Sequence, residues 1–152
     1  LSRPSLRRAA RRAPEVEFAV ASVYRLPAAD TCMDLLLDCF SPLALDEFRR
    51  VLRPGGVFLY VVPAARHLWE LKEVLYDKPY LNREEAIPYQ GFSYVEVVPV
   101  ERRMDLNQDA LMDLFAMTPY RWKTPRKGAA RLEALGGLAV TASFRIHVFR
   151  RE

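Results

Sequence analysis

The sequence predicts an α/β layered domain, and three observations carry that prediction. An amphipathic stretch stops at Pro54-Gly55-Gly56, and a run apolar at every position, Val57 to Val62, follows at once. Helix-like and strand-like periodicities alternate along most of the chain. The alternation closes on a strand, a helix and a strand, which suggests an antiparallel finish at one sheet edge. A strand apolar at every position is one buried on both faces, as in a parallel sheet covered by helices.

The bulk numbers bound the rest. A chain of 152 residues, 51% of them apolar, is expected to form one packed domain over 1–152. No apolar run reaches the ~18 residues of a membrane span, so no membrane partner is expected. Leu1 to Arg12 is basic, but no apolar segment follows to make a signal peptide. Cys32 and Cys39 lack zinc-finger spacing and are too few for a disulfide scaffold. They read as reduced thiols of a cytoplasmic protein, of the kind usually buried as small apolar residues. No metal site is expected.

The elements follow in order. Leu1 to Ser5 reads as a strand end and a helix cap, with Ser2 as cap, Pro4 in the first turn, and Leu6, Ala9, Ala10 and Ala13 at near-helical spacing. A domain rarely begins at the tail of a strand, so the chain reads as the C-terminal part of a longer protein. Pro14 breaks the helix, and Val16 to Ala21 reads as a short strand with Phe18 and Val20 on one face. A loop carrying Arg25-Leu26-Pro27 leads to a strand at Met33 to Phe40. Ser41-Pro42 then opens a helix through Leu52, with Leu45, Phe48, Val51 and Leu52 inward. Pro54 cannot continue that helix, and Gly55 and Gly56 supply the positive φ of a tight turn.

Beyond the buried strand, His67 to Tyr76 is expected to be helical, with Leu68, Leu71 and Leu75 as its core stripe. Asp77 to Gly91, with Pro79 and Pro88, reads as a long polar loop of the lid or substrate-facing kind. Phe92 to Met104 reads as a strand that Pro99 confines to an edge or a bulge. Asn107 looks like the cap of a helix ending near Met117. Thr118 to Lys127 is a basic, aromatic connection, Arg131 to Leu135 a short helix, and Thr141 to Phe149 the last strand.

The net charge of +4 is unevenly spread. Arg3, Arg7, Arg8, Arg11 and Arg12 precede the first acid, Glu15, and Arg121, Lys123, Arg126, Lys127 and Arg131 form a second cluster. Such clusters suit a polyanion, because each neutralised phosphate releases a counterion. A solvated helix face and a solvated loop explain them equally well.

Several blocks resemble one family. They are Val20-Ala21-Ser22 with Arg25-Leu26-Pro27, Phe40-Ser41-Pro42, the Arg53-Pro54-Gly55-Gly56 turn, His67-Leu68-Trp69-Glu70-Leu71-Lys72, and Met117-Thr118-Pro119-Tyr120-Arg121-Trp122. In this order they are similar to the S-adenosylmethionine (SAM)-dependent 23S ribosomal RNA guanine-N1 methyltransferases, a class I methyltransferase family. The four-cysteine zinc module and the glycine-rich SAM turn of that family are not in this sequence.

The resemblance implies an incomplete Rossmann-like sheet, with helices on both faces and an antiparallel last strand. Its strands would belong to the order 3-2-1-4-5-7-6, and the open apolar edges would invite self-association. It also implies SAM as cofactor and ribosomal RNA as partner. Ala21, Ser22, Leu26, Phe40 and Ser41 would lie against the cofactor. Pro42, Pro63, His67, Tyr120, Arg121 and Trp122 would lie against the substrate. For Ser41-Pro42 an ordinary helix cap explains the pair as well as a site does. Asp38 is either a base near the cleft or a strand-end charge paired with an arginine, the second being favoured. His147 reads as structural. Tyr120 and Trp122 either stack a splayed base or anchor their connection to the core. A small-molecule methyltransferase of the quinone-biosynthesis type and a non-catalytic binding module are the competing readings.

Overall fold

A computed structural model describes residues 3–83 and 89–152; the Ser2 cap and Pro88 lie outside them. Helix α1 (Arg3–Arg12) is followed by strand β1 (Met33–Cys39), helix α2 (Leu45–Val51) and strand β2 (Leu52–Pro63). Helix α3 (Trp69–Leu75) leads to strand β3 (Phe92–Asn107). Helices α4 (Gln108–Met117), α5 (Tyr120–Lys123) and α6 (Arg126–Glu133) precede strand β4 (Gly137–Arg151). The four strands form one sheet in the order β1-β2-β4-β3.

Strand direction follows from which ends meet. The Thr31 N–H donates to the Arg50 carbonyl at 2.8 Å, and Arg53 pairs with Asp34. A Cβ on Gly56 would lie 3.2 Å from the Asp34 carbonyl oxygen. The starts of β1 and β2 therefore lie side by side, and the two strands run parallel. Arg150 at the end of β4 donates to the Gly55 carbonyl near the start of β2, so that pair is antiparallel. Gly137, opening β4, abuts the Leu106 carbonyl near the end of β3, which makes the last pair antiparallel as well. This is the order 4-5-7-6 that the resemblance implied, with its antiparallel strand in place.

The chain divides into two compact units that share β2, β3 and β4. The first takes in 3–59, 89–95 and Val148–Glu152. Its core is aromatic. Phe58 lies with ring centroids 5.2 Å from Phe48, 5.5 Å from Phe92 and 5.6 Å from Phe149. Each such pair adds about 1 kcal/mol to its burial. The second unit takes in 60–83 and Glu96–His147, and its core is mainly aliphatic: Leu68, Leu71, Leu75, Leu111, Leu132 and Val140, with Phe115 among them.

Several expectations fail for identifiable reasons. Val16 to Ala21 forms no strand, and Val16, Phe18 and Val20 are exposed. A strand needs a hydrogen-bonded neighbour, and no described segment pairs with this one. Helix α2 begins at Leu45 rather than Ser41, and its Ala44 cap makes no side-chain bond. Of Gly55 and Gly56, Gly55 alone takes a positive φ, at +77°. At Gly56 the constraint is space, since a Cβ there would lie 2.9 Å from the Arg53 carbonyl oxygen. The connection after Thr118 holds helix α5, and α6 ends at Glu133 instead of reaching Leu135. Both cysteines are free thiols, yet both are exposed rather than buried. Asn107 does cap α4, accepting from the Ala110 N–H at 3.0 Å.

Candidate functional site

In the first unit the predicted residues fall on two segments. One is the loop 21–28, which α2 pins. The Leu26 N–H donates to Glu47 at 2.6 Å, and Arg50 donates to the carbonyls of Leu26 and Ala28. Arg50 also pairs with Glu47 and Asp30, each at 2.6 Å. The Arg50 hydrogen bond holds the Glu47 carboxyl down at about 2, so the clamp stays charged across the working pH range. Leu26 thus has both backbone groups engaged within the chain. Ala21 is half-buried, and Ser22 is exposed and bridges to Arg25. The sequence reading missed this clamp. Its only signal was an acid and an arginine three apart on the solvent side of an amphipathic helix.

The other segment is the carboxyl end of β1. Asp38 is 4% exposed, and its Oδ1 accepts from both the N–H and the hydroxyl of Ser41, at 3.2 and 2.6 Å. Ser41 therefore closes a turn onto Asp38 and caps no helix. Among the described residues Asp38 pairs with no arginine. Its Oδ2 is buried and has no hydrogen-bond partner among the described residues. Between them, Phe40 sits at a φ of +60° and is 59% exposed. A non-glycine residue there costs on the order of 1 kcal/mol, and such strain clusters at functional sites. Pro42 is exposed beside it.

In the second unit, Pro63 to His67 follow the carboxyl end of β2. The Ala64 N–H donates to the Ser143 carbonyl, which also lies 2.9 Å from His67 Nδ1. Burial lowers the His67 pKa, and the charge of Lys72 adds to that. Glu70 accepts from the Thr141 N–H and hydroxyl at 3.0 and 2.7 Å, tying α3 to β4.

Lys72 is fully buried, and among the described residues no carboxylate pairs with it. It donates to the Tyr80 carbonyl at 2.9 Å and to Asn82 Oδ1 at 2.7 Å, and lies over the Tyr80 and Tyr120 rings. Asn82 in turn donates to the Ala64 carbonyl. Burial lowers the Lys72 pKa and pushes the Tyr120 hydroxyl up to about 12. The sequence did carry a sign of it: Lys72 stands four residues after Leu68 and three before Leu75, on the buried stripe.

The basic connection divides by burial. Tyr120 packs edge-on against Tyr76 and anchors the segment. Trp122 is 83% exposed with the Arg121 guanidinium 5.5 Å from its ring, and Lys123, Arg126 and Lys127 are exposed nearby in sequence. A groove of about 620 Å³ beside α3 and α6 is lined by Val74, Tyr76, Asp77 and Arg131, among others, and by none of the predicted site residues.

The residues fit a cationic methyl donor only in part. Leu26 and Ser41 are already engaged within the chain, and what the carboxyl end of β1 leaves open to any ligand is one unpartnered Asp38 oxygen and the exposed Phe40. Among the described residues no group of His, Cys, Asp and Glu is placed to hold a metal, and no helix is long and apolar enough to cross a membrane.

No family model matches the chain. It is 37% identical over 157 aligned positions to the 23S rRNA (guanine(748)-N(1))-methyltransferase of Streptomyces fradiae, covering 99% of this chain and 56% of that protein. It is 36% identical to a "Putative 23S rRNA (guanine-N(1)-)-methyltransferase" of Micromonospora griseorubida, covering 99% and 53%. The YcgJ protein of Bacillus subtilis superposes with a TM-score of 0.61 at 14% identity, over 99% of this chain and 80% of that one. A "putative methyltransferase" of Bacillus halodurans does so at 0.57 and 14%, over 99% and 80%. These likenesses show the mixed α/β fold. The chain spans about half the length of the curated relatives it matches. Along nearly all of its own length it is homologous to proteins named as 23S rRNA guanine-N1 methyltransferases, the family its sequence blocks resemble.

Proposed function

We propose that the chain forms part of a SAM-dependent methyltransferase acting on N1 of a guanine in large-subunit ribosomal RNA, in the cytoplasm. The observation that carries this reading is the 36–37% identity, maintained across 99% of the chain, to proteins named for that reaction. The methyl donor supplies an electrophilic methyl on a sulfonium. The protein's task is then to hold the acceptor nitrogen behind that methyl and to provide a path for the N1 proton. Ligands of open α/β sheets bind beyond the carboxyl ends of strands; Phe40-Ser41-Pro42 follows that end of β1 in the first unit, and Pro63 to His67 follow that end of β2 in the second. Ala21 and Ser22 are assigned to the donor, and Pro42, Pro63, His67, Arg121 and Trp122 to the RNA. Tyr120 acts behind Trp122 by fixing its segment. Leu35 and Leu37, exposed on the outer strand β1, mark a surface for association with another chain.

Gel-shift titration with a 23S rRNA fragment tests the RNA assignment. The triple replacement of Arg121, Lys123 and Arg126 by Gln should weaken binding at least tenfold and flatten its salt dependence. Unchanged affinity and slope would refute it. Calorimetry with SAM separates an enzyme from a binding module: a measurable heat of donor binding excludes the module.

A further inference from the structure

We infer that Asp38 is the group that takes the proton from guanine N1, with the Phe40 ring stacked on the base beside it. The inference rests on the methyltransferase reading above and names a residue for its unassigned step. Three observations in one five-residue segment support it. The Asp38 side chain is buried, and both of its described hydrogen bonds fall on Oδ1. Oδ2 is enclosed and unpartnered among the described residues. A buried acceptor left unpaired costs about 1–3 kcal/mol, more if charged, so its retention calls for a donor that arrives from elsewhere. Phe40, next but one, is held in the left-handed region, where a phenylalanine is strained, and the residue is largely exposed. The segment also ends a strand that runs parallel to its neighbour, the end where ligands of such sheets bind.

Guanine matches this arrangement. It presents N1–H on an edge that a carboxylate oxygen can accept, and a flat face that an aromatic ring can cover. In the step, the N1–H bond breaks and its proton passes to Asp38 Oδ2 as N1 gains the methyl group. The electron pair of the broken S–C bond stays on sulfur, and the protonated carboxyl then returns its proton to water. Ser41 has a positioning role: its two donors fix Oδ1 and so leave Oδ2 as the oxygen that reacts.

The test uses the chain with two RNA oligonucleotides that differ only in carrying guanine or 1-methylguanine at the target position. The unsubstituted chain should bind the guanine oligonucleotide at least tenfold more tightly, and Asp38→Ala should bring the two within twofold. Asp38→Asn, which keeps the shape but cannot take the proton, should lower kcat for methyl transfer about 100-fold or more while KM for RNA changes less than threefold. Thermal unfolding of each variant checks that it is folded. Retained discrimination in Asp38→Ala, or an unchanged kcat in Asp38→Asn, would overturn the assignment, and a water on Oδ2 would give both results. So would an Asp38→Asn variant whose calorimetric affinity for SAM falls while its RNA discrimination survives, since the carboxylate would then serve the donor. Failure of the unsubstituted chain to bind either oligonucleotide is a different result, because it removes the RNA reading itself.

Discussion

Two buried charges, one in each unit, have opposite surroundings. Lys72 in the second unit is fully enclosed, yet two oxygens accept from its ammonium and two tyrosine rings lie over it. Asp38 in the first is enclosed almost as completely, and one of its oxygens has no partner among the described residues. A buried charge is tolerated when its hydrogen-bonding groups are met. By that measure Lys72 belongs to the architecture: through Asn82 it holds the residues after β2 against the segment that follows α3. Asp38 is left short, and an unmet group carries a cost that folding alone does not explain.

The contrast can be broken most easily at Lys72. Lys72→Ala leaves the Tyr80 carbonyl and Asn82 Oδ1 unpaired and opens a cavity beside Leu71 and Leu75. We expect a loss of about 3 kcal/mol in urea unfolding. A loss below about 1 kcal/mol would mean that the cluster is not structural. The next effect is on binding. Trp122→Ala should reduce affinity for single-stranded RNA roughly tenfold, the scale of one stacked base, with unfolding free energy changed by less than about 0.5 kcal/mol. Tyr120, its neighbour but one, should act first on stability and reach RNA binding only through the segment that holds Trp122.

That role carries a pH signature. The Tyr120 hydroxyl ionises near 10 when unfolded and at about 12 when folded. Its contribution is therefore complete below pH 10 and is lost as pH rises toward 12. Allowing for partial exposure, the loss is about 1 kcal/mol, and Tyr120→Phe should remove it from the alkaline limb of the stability curve. The smallest effect sharpens the comparison. Asp38→Asn should leave unfolding free energy within about 1 kcal/mol of the unsubstituted chain, with any change stabilising, because it removes a buried charge that is only half satisfied. A loss of 3 kcal/mol would make Asp38 a structural charge like Lys72.

Much of the scaffold was legible in the sequence. The apolar run 57–62 announced the second half of β2, but the strand begins at Leu52, so Gly55 with its positive φ lies inside it rather than in a turn before it. Asn107 announced the start of α4, the alternation of elements the α/β layering, and the family resemblance the strand order. The failures share a cause, which is that sequence patterns report local preference while pairing is decided at a distance. Phe18 and Val20 have strand character but find no neighbour strand. Ser41-Pro42 has the composition of a cap, yet Asp38, three residues back, takes both donors of Ser41. The unmet Asp38 oxygen has no sequence signature at all, because burial and partner count emerge only from packing.

The reaction itself is the most direct test of the account. The protein that the chain forms part of would be incubated with methyl-labelled SAM and a 23S rRNA fragment, and the digested RNA analysed by mass spectrometry. We predict label in 1-methylguanosine, and its disappearance in Asp38→Asn. Label at another atom, or an RNA that is bound and never methylated, would contradict the account.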